Sequence, residues 1–103
     1  MQTDVFKAIS DPNRRQLLAL LAEGDRSVTE LMAPFRISQP AISQHLKVLR
    51  EAGLVSERRV GRHRHYRLNP APLREVFDWV AHFEQFWLEK LRGLEQYLDE
   101  EDP

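Results

Sequence analysis

The chain has 103 residues, 42% hydrophobic and 30% charged, a composition that suits one soluble domain with a modest core. It contains no cysteine, which excludes disulfides, thiolate metal sites and cysteine nucleophiles. The formal net charge of -1 hides a segregation, because residues 36–67 carry eight basic against two acidic residues while residues 73–103 carry three against nine. Such a division is expected of a basic face for a polyanion and an acidic face held away from it.

A short helix is expected over residues 4–9. Asp11 then caps a second helix, with Pro12 at its first position and Leu17, Leu18, Leu20 and Leu21 as its apolar set. Gly24-Asp25 ends it. Ser27 caps a third, short helix with Glu30 at the capping-box position, and Pro34 stops that helix. Ser38 caps a fourth, in which Gln39 and Pro40 occupy the first turn and Gly53 fits the left-handed residue past its end. Two helices joined by so few residues match a helix-turn-helix, over residues 27–52. A strand is expected from Leu54 to Val60, a tight turn at Gly61-Arg62, and a returning strand from His63 to Leu68, together a wing over residues 54–68. Asn69 then caps a last helix, with Pro70 and Pro72 in its first turn, running unbroken over residues 70–98. The tail from Asp99 to Pro103 is expected to fray. The fold class is mainly α with a small β-hairpin, a winged helix-turn-helix over residues 1–103 with a long C-terminal dimerisation helix.

The fourth helix carries the function. Ile42, Leu46 and Leu49 recur at core spacing, whereas Gln39, Ser43, Lys47 and Arg50 line the opposite side with Gln44 beside them. Glutamine can donate to and accept from adenine at once, and serine serves either partner, so Gln39, Ser43 and Gln44 are assigned to base edges in a major groove. Ser38 and Lys47 suit phosphate contacts, which position without choosing a sequence. Pro40 is placed at the same interface. His45 lies on the core flank, where a half-buried hydrogen-bonded histidine and a DNA contact are both open. At the wing, Gly61 permits a sharp turn while Arg62 and Arg64, with His63 between them, project toward the backbone or minor groove. Arginines that merely blunt exposed strand edges are the alternative.

Leu73, Val80, Trp87 and Leu94 recur every seven residues along the last helix, and Trp79, Phe83, Phe86 and Leu91 widen the stripe. A helix of about 26 residues spans about 39 Å, more than a small body can cover, so the stripe is assigned to a subunit interface. A ligand cavity lined by the same aromatics is the alternative. Asp78 and His82 stand four apart, the spacing of a surface pair or of half a metal site, and the surface pair is preferred. No metal is assigned at His63 and His65.

With these elements in order, the chain resembles the ArsR family of bacterial winged-helix repressors from about residue 4 to 98. The matching pieces are Ala8-Ile9-Ser10-Asp11-Pro12-Asn13-Arg14-Arg15, the run Ser38-Gln39-Pro40-Ala41-Ile42-Ser43-Gln44-His45-Leu46-Lys47-Val48-Leu49, Glu51-Ala52-Gly53-Leu54-Val55, and Gly61-Arg62-His63-Arg64-His65-Tyr66-Arg67-Leu68. The resemblance implies a homodimer joined through its first and last helices, adding Val5 and Phe6 to the interface. It also implies a pseudo-palindromic double-stranded DNA operator and repression of transcription. The thiolate site of metal-sensing members, on the helix at residues 28–33, needs cysteines that this chain lacks. Their other site, on the last helix, uses paired Asp/His and His/Glu sets, whereas here no second histidine follows Asp78 and His82. The chain is more similar to the metal-independent branch, and no cofactor or effector is assigned.

No apolar run approaches the roughly 20 residues that cross a bilayer, and the N-terminus has no signal-peptide pattern, so a cytoplasmic location without membrane association is expected. Enzymatic activity is not expected, because the four histidines fall on separate elements without a phosphate loop or paired-carboxylate motif. The competing function is a winged-helix protein-interaction module that offers its aromatic last helix to a protein partner without specific DNA binding.

Overall fold

The computed structural model describes residues 4–101. Helix α1 (Val5–Ala8) is capped by Asp4, whose carboxylate accepts from the Phe6 N–H at 3.1 Å. Helix α2 (Pro12–Ala22) begins at Asp11, whose Oδ1 accepts from the N–H groups of Asn13 at 2.8 Å and Arg14 at 3.1 Å. Two arginines of its first turn reach back to α1. Arg14 donates through Nε to the Ala8 carbonyl at 2.6 Å and through Nη2 to that of Lys7 at 3.2 Å, and Arg15 donates to the Ile9 carbonyl at 2.8 Å. The last turn of a helix exposes carbonyls that lack partners within the helix, so this contact fixes the angle between α1 and α2.

Strand β1 (Arg26–Ser27) runs into α3 (Val28–Met32), and Ser27 and Glu30 complete the expected capping box. Helix α4 (Gln39–Glu51) follows, then β2 (Val55–Val60) and β3 (His63–Leu68). The sheet is antiparallel in the order β1-β3-β2, with Glu57 opposite Tyr66, Arg59 opposite Arg64, and Ser27 opposite His65. The sequence reading contained only the hairpin; β1 is the third strand and anchors the wing to α3. Gly53 and Gly61 adopt φ of 77° and 63°, so the helix end and the hairpin turn both use the freedom of a residue without Cβ.

The core joins Leu17 and Leu21 of α2, Leu31 of α3, Ile42, Leu46 and Leu49 of α4, Leu54 just before the sheet, and Val55 and Tyr66 within it. Val5 belongs to it as well. At 4% exposure its side chain is used up within the protomer, which removes it from the expected dimer surface. Phe6 is only partly buried and meets Trp79 edge-on, with ring centroids 5.9 Å apart.

The C-terminal helix is long, as expected, but it has two segments: α5 (Leu73–Ala81) and α6 (Glu84–Glu101). Its start is later than Asn69 because the chain first makes tight turns, with Leu73 N–H donating to the Pro70 carbonyl and Arg74 N–H to that of Ala71. Asn69 caps this turn through the Ala71 N–H and donates its own amide to the Gly53 carbonyl at 2.8 Å. At the junction, the N–H groups of His82 and Phe83 bond three residues back, to Trp79 and Val80, before the four-residue pattern resumes at Trp87. Asp99, expected to be frayed, lies in α6; Asp102 and Pro103 fall outside the described residues.

Helix α5 reaches the body through Leu73 and Val76 and through Trp79 against Phe6, and α6 projects from it. The radius of gyration is 18.6 Å and the extents are 65 × 31 × 21 Å, against about 13 Å for a compact chain of this length.

Candidate nucleic-acid interface

Helix α4 presents two chemically different sides. Ile42, Leu46 and Leu49 are buried, while Ser38, Gln39, Pro40, Ser43, Gln44, Lys47 and Arg50 are exposed. The Ser38 hydroxyl accepts from the Ala41 N–H at 3.3 Å, so it is occupied at least in part as the cap. The wing stands against the start of this helix. Gln39 and Ser43 share a concavity of about 250 Å³ with Arg62, His63 and Arg64, closed by Ser27, Val28, Thr29 and Tyr66. The Gln39 amide, the Ser43 hydroxyl and the wing cations therefore face one space. Pro40, Gln44 and Lys47 lie outside that concavity on the exposed side of the same helix.

His45 is half-buried, and its Nδ1 lies 3.3 Å from Nη1 of Arg14. Since guanidinium only donates, Nδ1 is the acceptor and the ring proton belongs on Nε2. Of the two roles open to His45, this geometry realises the packed, hydrogen-bonded one. Through Arg14 the recognition helix is tied to the end of α1. Burial pushes the Asp11 carboxyl up, but the Arg14 and Asn13 N–H groups, with the positive field of the Arg14 guanidinium, hold it below its ordinary value.

The basic residues are not equivalent. Arg67 is engaged by Asp25, with Nε and Nη2 each 3.0 Å from Oδ2, and this pairing raises its pKa. Glu57, half-buried on β2, pairs with both Arg50 at the end of α4 and Arg64 on the wing, the latter at 3.3 Å. Tyr66 lies opposite Glu57 in the sheet. Burial raises the Tyr66 phenol, the Glu57 carboxylate raises it further, and Arg50 and Arg64 oppose that shift. Among the described residues, Arg62 and Lys47 have no carboxylate within ion-pairing distance. Glu57 and Tyr66 escaped the sequence reading. The available signal was a lone carboxylate in a strand of basic residues, placed by the hairpin register across from Tyr66 and diagonal to Arg64.

On the arm, Asp78 takes Arg74 Nε at 3.0 Å, so the expected partnership with His82 gives way to an ion pair one turn earlier. Among the described residues no group of three or more His, Cys, Asp or Glu side chains could hold a metal ion. No described helix is long and apolar enough to cross a membrane. Phe83, Phe86, Trp87, Leu91 and Leu94 are all exposed in the protomer, as are Phe77 and Trp79 of α5.

A capped helix with a polar outer side, packed behind a short helix and beside a basic antiparallel wing, defines a winged helix-turn-helix DNA-binding protein. Residues 11–57 match the family model described as bacterial regulatory protein, arsR family. The chain is 42% identical over 80 residues to the transcriptional repressor SdpR of Bacillus subtilis, covering 78% of this chain and 89% of that protein. It is 38% identical over 96 residues to the HTH-type transcriptional regulator Rv2034 of Mycobacterium tuberculosis, covering 93% and 87%. Among solved structures, a possible transcriptional regulator for arsenical resistance matches with a TM-score of 0.69 at 44% identity, covering 90% of this chain and 94% of the other. The ArsR family transcriptional regulator RHA00566 matches with a TM-score of 0.73 at 31% identity, covering 82% and 92%. The chain belongs to the ArsR family and is a DNA-binding transcriptional regulator, without the cysteines of a thiolate metal sensor.

Proposed function

We propose that the protein is a cytoplasmic homodimeric repressor, not an enzyme, and that it reads a pseudo-palindromic operator with one α4 in each half-site. The observation that carries the reading is the meeting of Gln39 and Ser43 with Arg62 around one concavity. Gln39, Ser43 and Gln44 contact base edges; Ser38 and Lys47 seat the helix on phosphates, with Pro40 at the same interface; and Arg62, with His63 and Arg64, engages the flanking backbone or minor groove. His45 supports α4 from behind. Two protomers join through the projecting arm, where Trp79, Phe83, Phe86, Trp87, Leu91 and Leu94 are exposed, with Phe6 at its base. Dimerisation removes this apolar surface from water and doubles the DNA contacts. Repression is inferred from the relative in Bacillus subtilis, a transcriptional repressor.

Mobility-shift titration on the DNA upstream of its own gene tests the interface. Gln39→Ala or Ser43→Ala is expected to cost about 1–3 kcal/mol for the preferred site and to relax preference at a base pair. Unchanged affinity and preference in both variants would remove α4 from the reading role.

A further inference from the structure

We propose that Glu57 is a specificity-determining counter-ion, which holds the wing cation Arg64 away from poorly seated DNA and yields it only to a closely seated operator. Glu57 is the one acidic residue of the wing, among Arg58, Arg59, Arg62, Arg64 and Arg67. Its carboxylate is 22% exposed and bridges two arginines from different elements, Arg50 closing α4 and Arg64 on β3. The Arg64 side chain remains 59% exposed, so its guanidinium can turn from the carboxylate to an approaching phosphate. Arg64 also borders the concavity that holds Gln39 and Ser43, so such a phosphate would be beside the base-reading side chains.

Two classes of cation result. Arg62 and Lys47, with no carboxylate within ion-pairing distance among the described residues, attract any duplex. Arg64 must first leave Glu57, and only a phosphate held at hydrogen-bond distance replaces that partner. Loose encounters, with DNA a water layer away, do not meet this condition. The carboxylate therefore weakens non-specific binding more than operator binding, and the ratio of the two is what a regulator needs in a genome of competing sites.

This inference rests on the interface proposed above, and salt titrations with the full-length protein test it separately. Glu57→Gln is expected to raise affinity for an unrelated duplex about threefold at 200 mM salt and to steepen its salt dependence by about 0.9 per added phosphate contact. Operator affinity should rise less. Arg64→Ala should lower operator affinity several-fold and unrelated-duplex affinity by less, and adding Arg64→Ala to Glu57→Gln should remove the part of the added slope that Arg64 supplies. Glu89→Gln, which removes a charge from the arm, controls for net charge alone. A slope unchanged by Glu57→Gln, a gain matched by Glu89→Gln, or equal losses on both duplexes in Arg64→Ala would overturn the proposal. Should Glu57→Gln fail to fold by its thermal melt, the Arg64→Ala comparison decides. If Arg62→Ala also leaves all DNA binding intact, the interface itself is misassigned; if only the Glu57 and Arg64 outcomes fail, the counter-ion role alone falls.

Discussion

Asp11 does two jobs at a single peptide turn. It caps α2 through two N–H groups, and the arginines placed by that cap close the end of α1. Replacing it with alanine is expected to cost about 1 kcal/mol of stability, the usual value of a lost N-cap, measured by denaturant unfolding. The pH sign follows from its lowered carboxyl. The stabilisation is full above the ordinary value of 3.8 and is lost as pH falls through the lower folded-state value. Acid titration of Asp11→Ala should therefore show less loss of stability below about pH 4 than the parent. His45 shows how a residue in a reading helix can serve from behind. One turn of α4 carries Ser43 and Gln44 outward, and the next position along the chain meets Arg14.

At the scale of elements, the proposed dimer depends on the arm. A wide row of apolar side chains on α5 and α6, each 45–67% exposed, lies on a helix that meets its own body through Leu73, Val76 and the Trp79 contact with Phe6. Trp87→Glu places a charge in the centre of that row. It is expected to halve the mass seen by sedimentation or light scattering at micromolar concentration and to weaken operator binding at least tenfold, since each α4 would then bind alone. A variant that stays dimeric would move the interface elsewhere.

The same elements show what sequence can reveal. Helices α2, α3 and α4 were legible because their caps, Asp11, Ser27 and Ser38, are chemically explicit and their leucines recur at helical spacing. The outward stripe of α4 was legible for the same reason. Strand β1 was not, because two residues show no alternation and its partner is Tyr66, forty positions away along the chain. The junction at His82 and Phe83 was not, because neither residue breaks a helix by itself and the altered bonding is a property of the backbone. Val5 enters the protomer's own core, because a resemblance that assigns the first helix to an interface does not say which of its apolar residues face outward. Glu57 was missed because its partners arrive from α4 and β3, a relation that local spacing does not contain.

For the whole molecule, charge and shape act together. The basic segment at residues 36–67 comprises α4 and the wing, and the acidic segment that begins at residue 73 supplies α5 and α6. A duplex approaching the wing meets attraction there and repulsion along the arm, which orients encounter before any base is read. In a dimer each wing supplies one Arg62. Arg62→Ala should weaken binding to every sequence to a similar degree and flatten the logarithmic salt slope by about 1.8, two phosphates at about 0.9 each. A change confined to one operator would instead make Arg62 a base reader.

Ser27 gives this architecture an unusual intolerance. The residue pairs with His65 in the sheet and, through its hydroxyl, starts α3. One chain position therefore registers the wing and the start of α3 at once. Connections between elements normally absorb insertions and deletions, but a residue gained or lost between Asp25 and Ser27 would shift strand pairing and helix start together. The hairpin tip at Gly61-Arg62 carries no such double registration. Length variation, in nature or by design, belongs at the tip of this wing and not at its root.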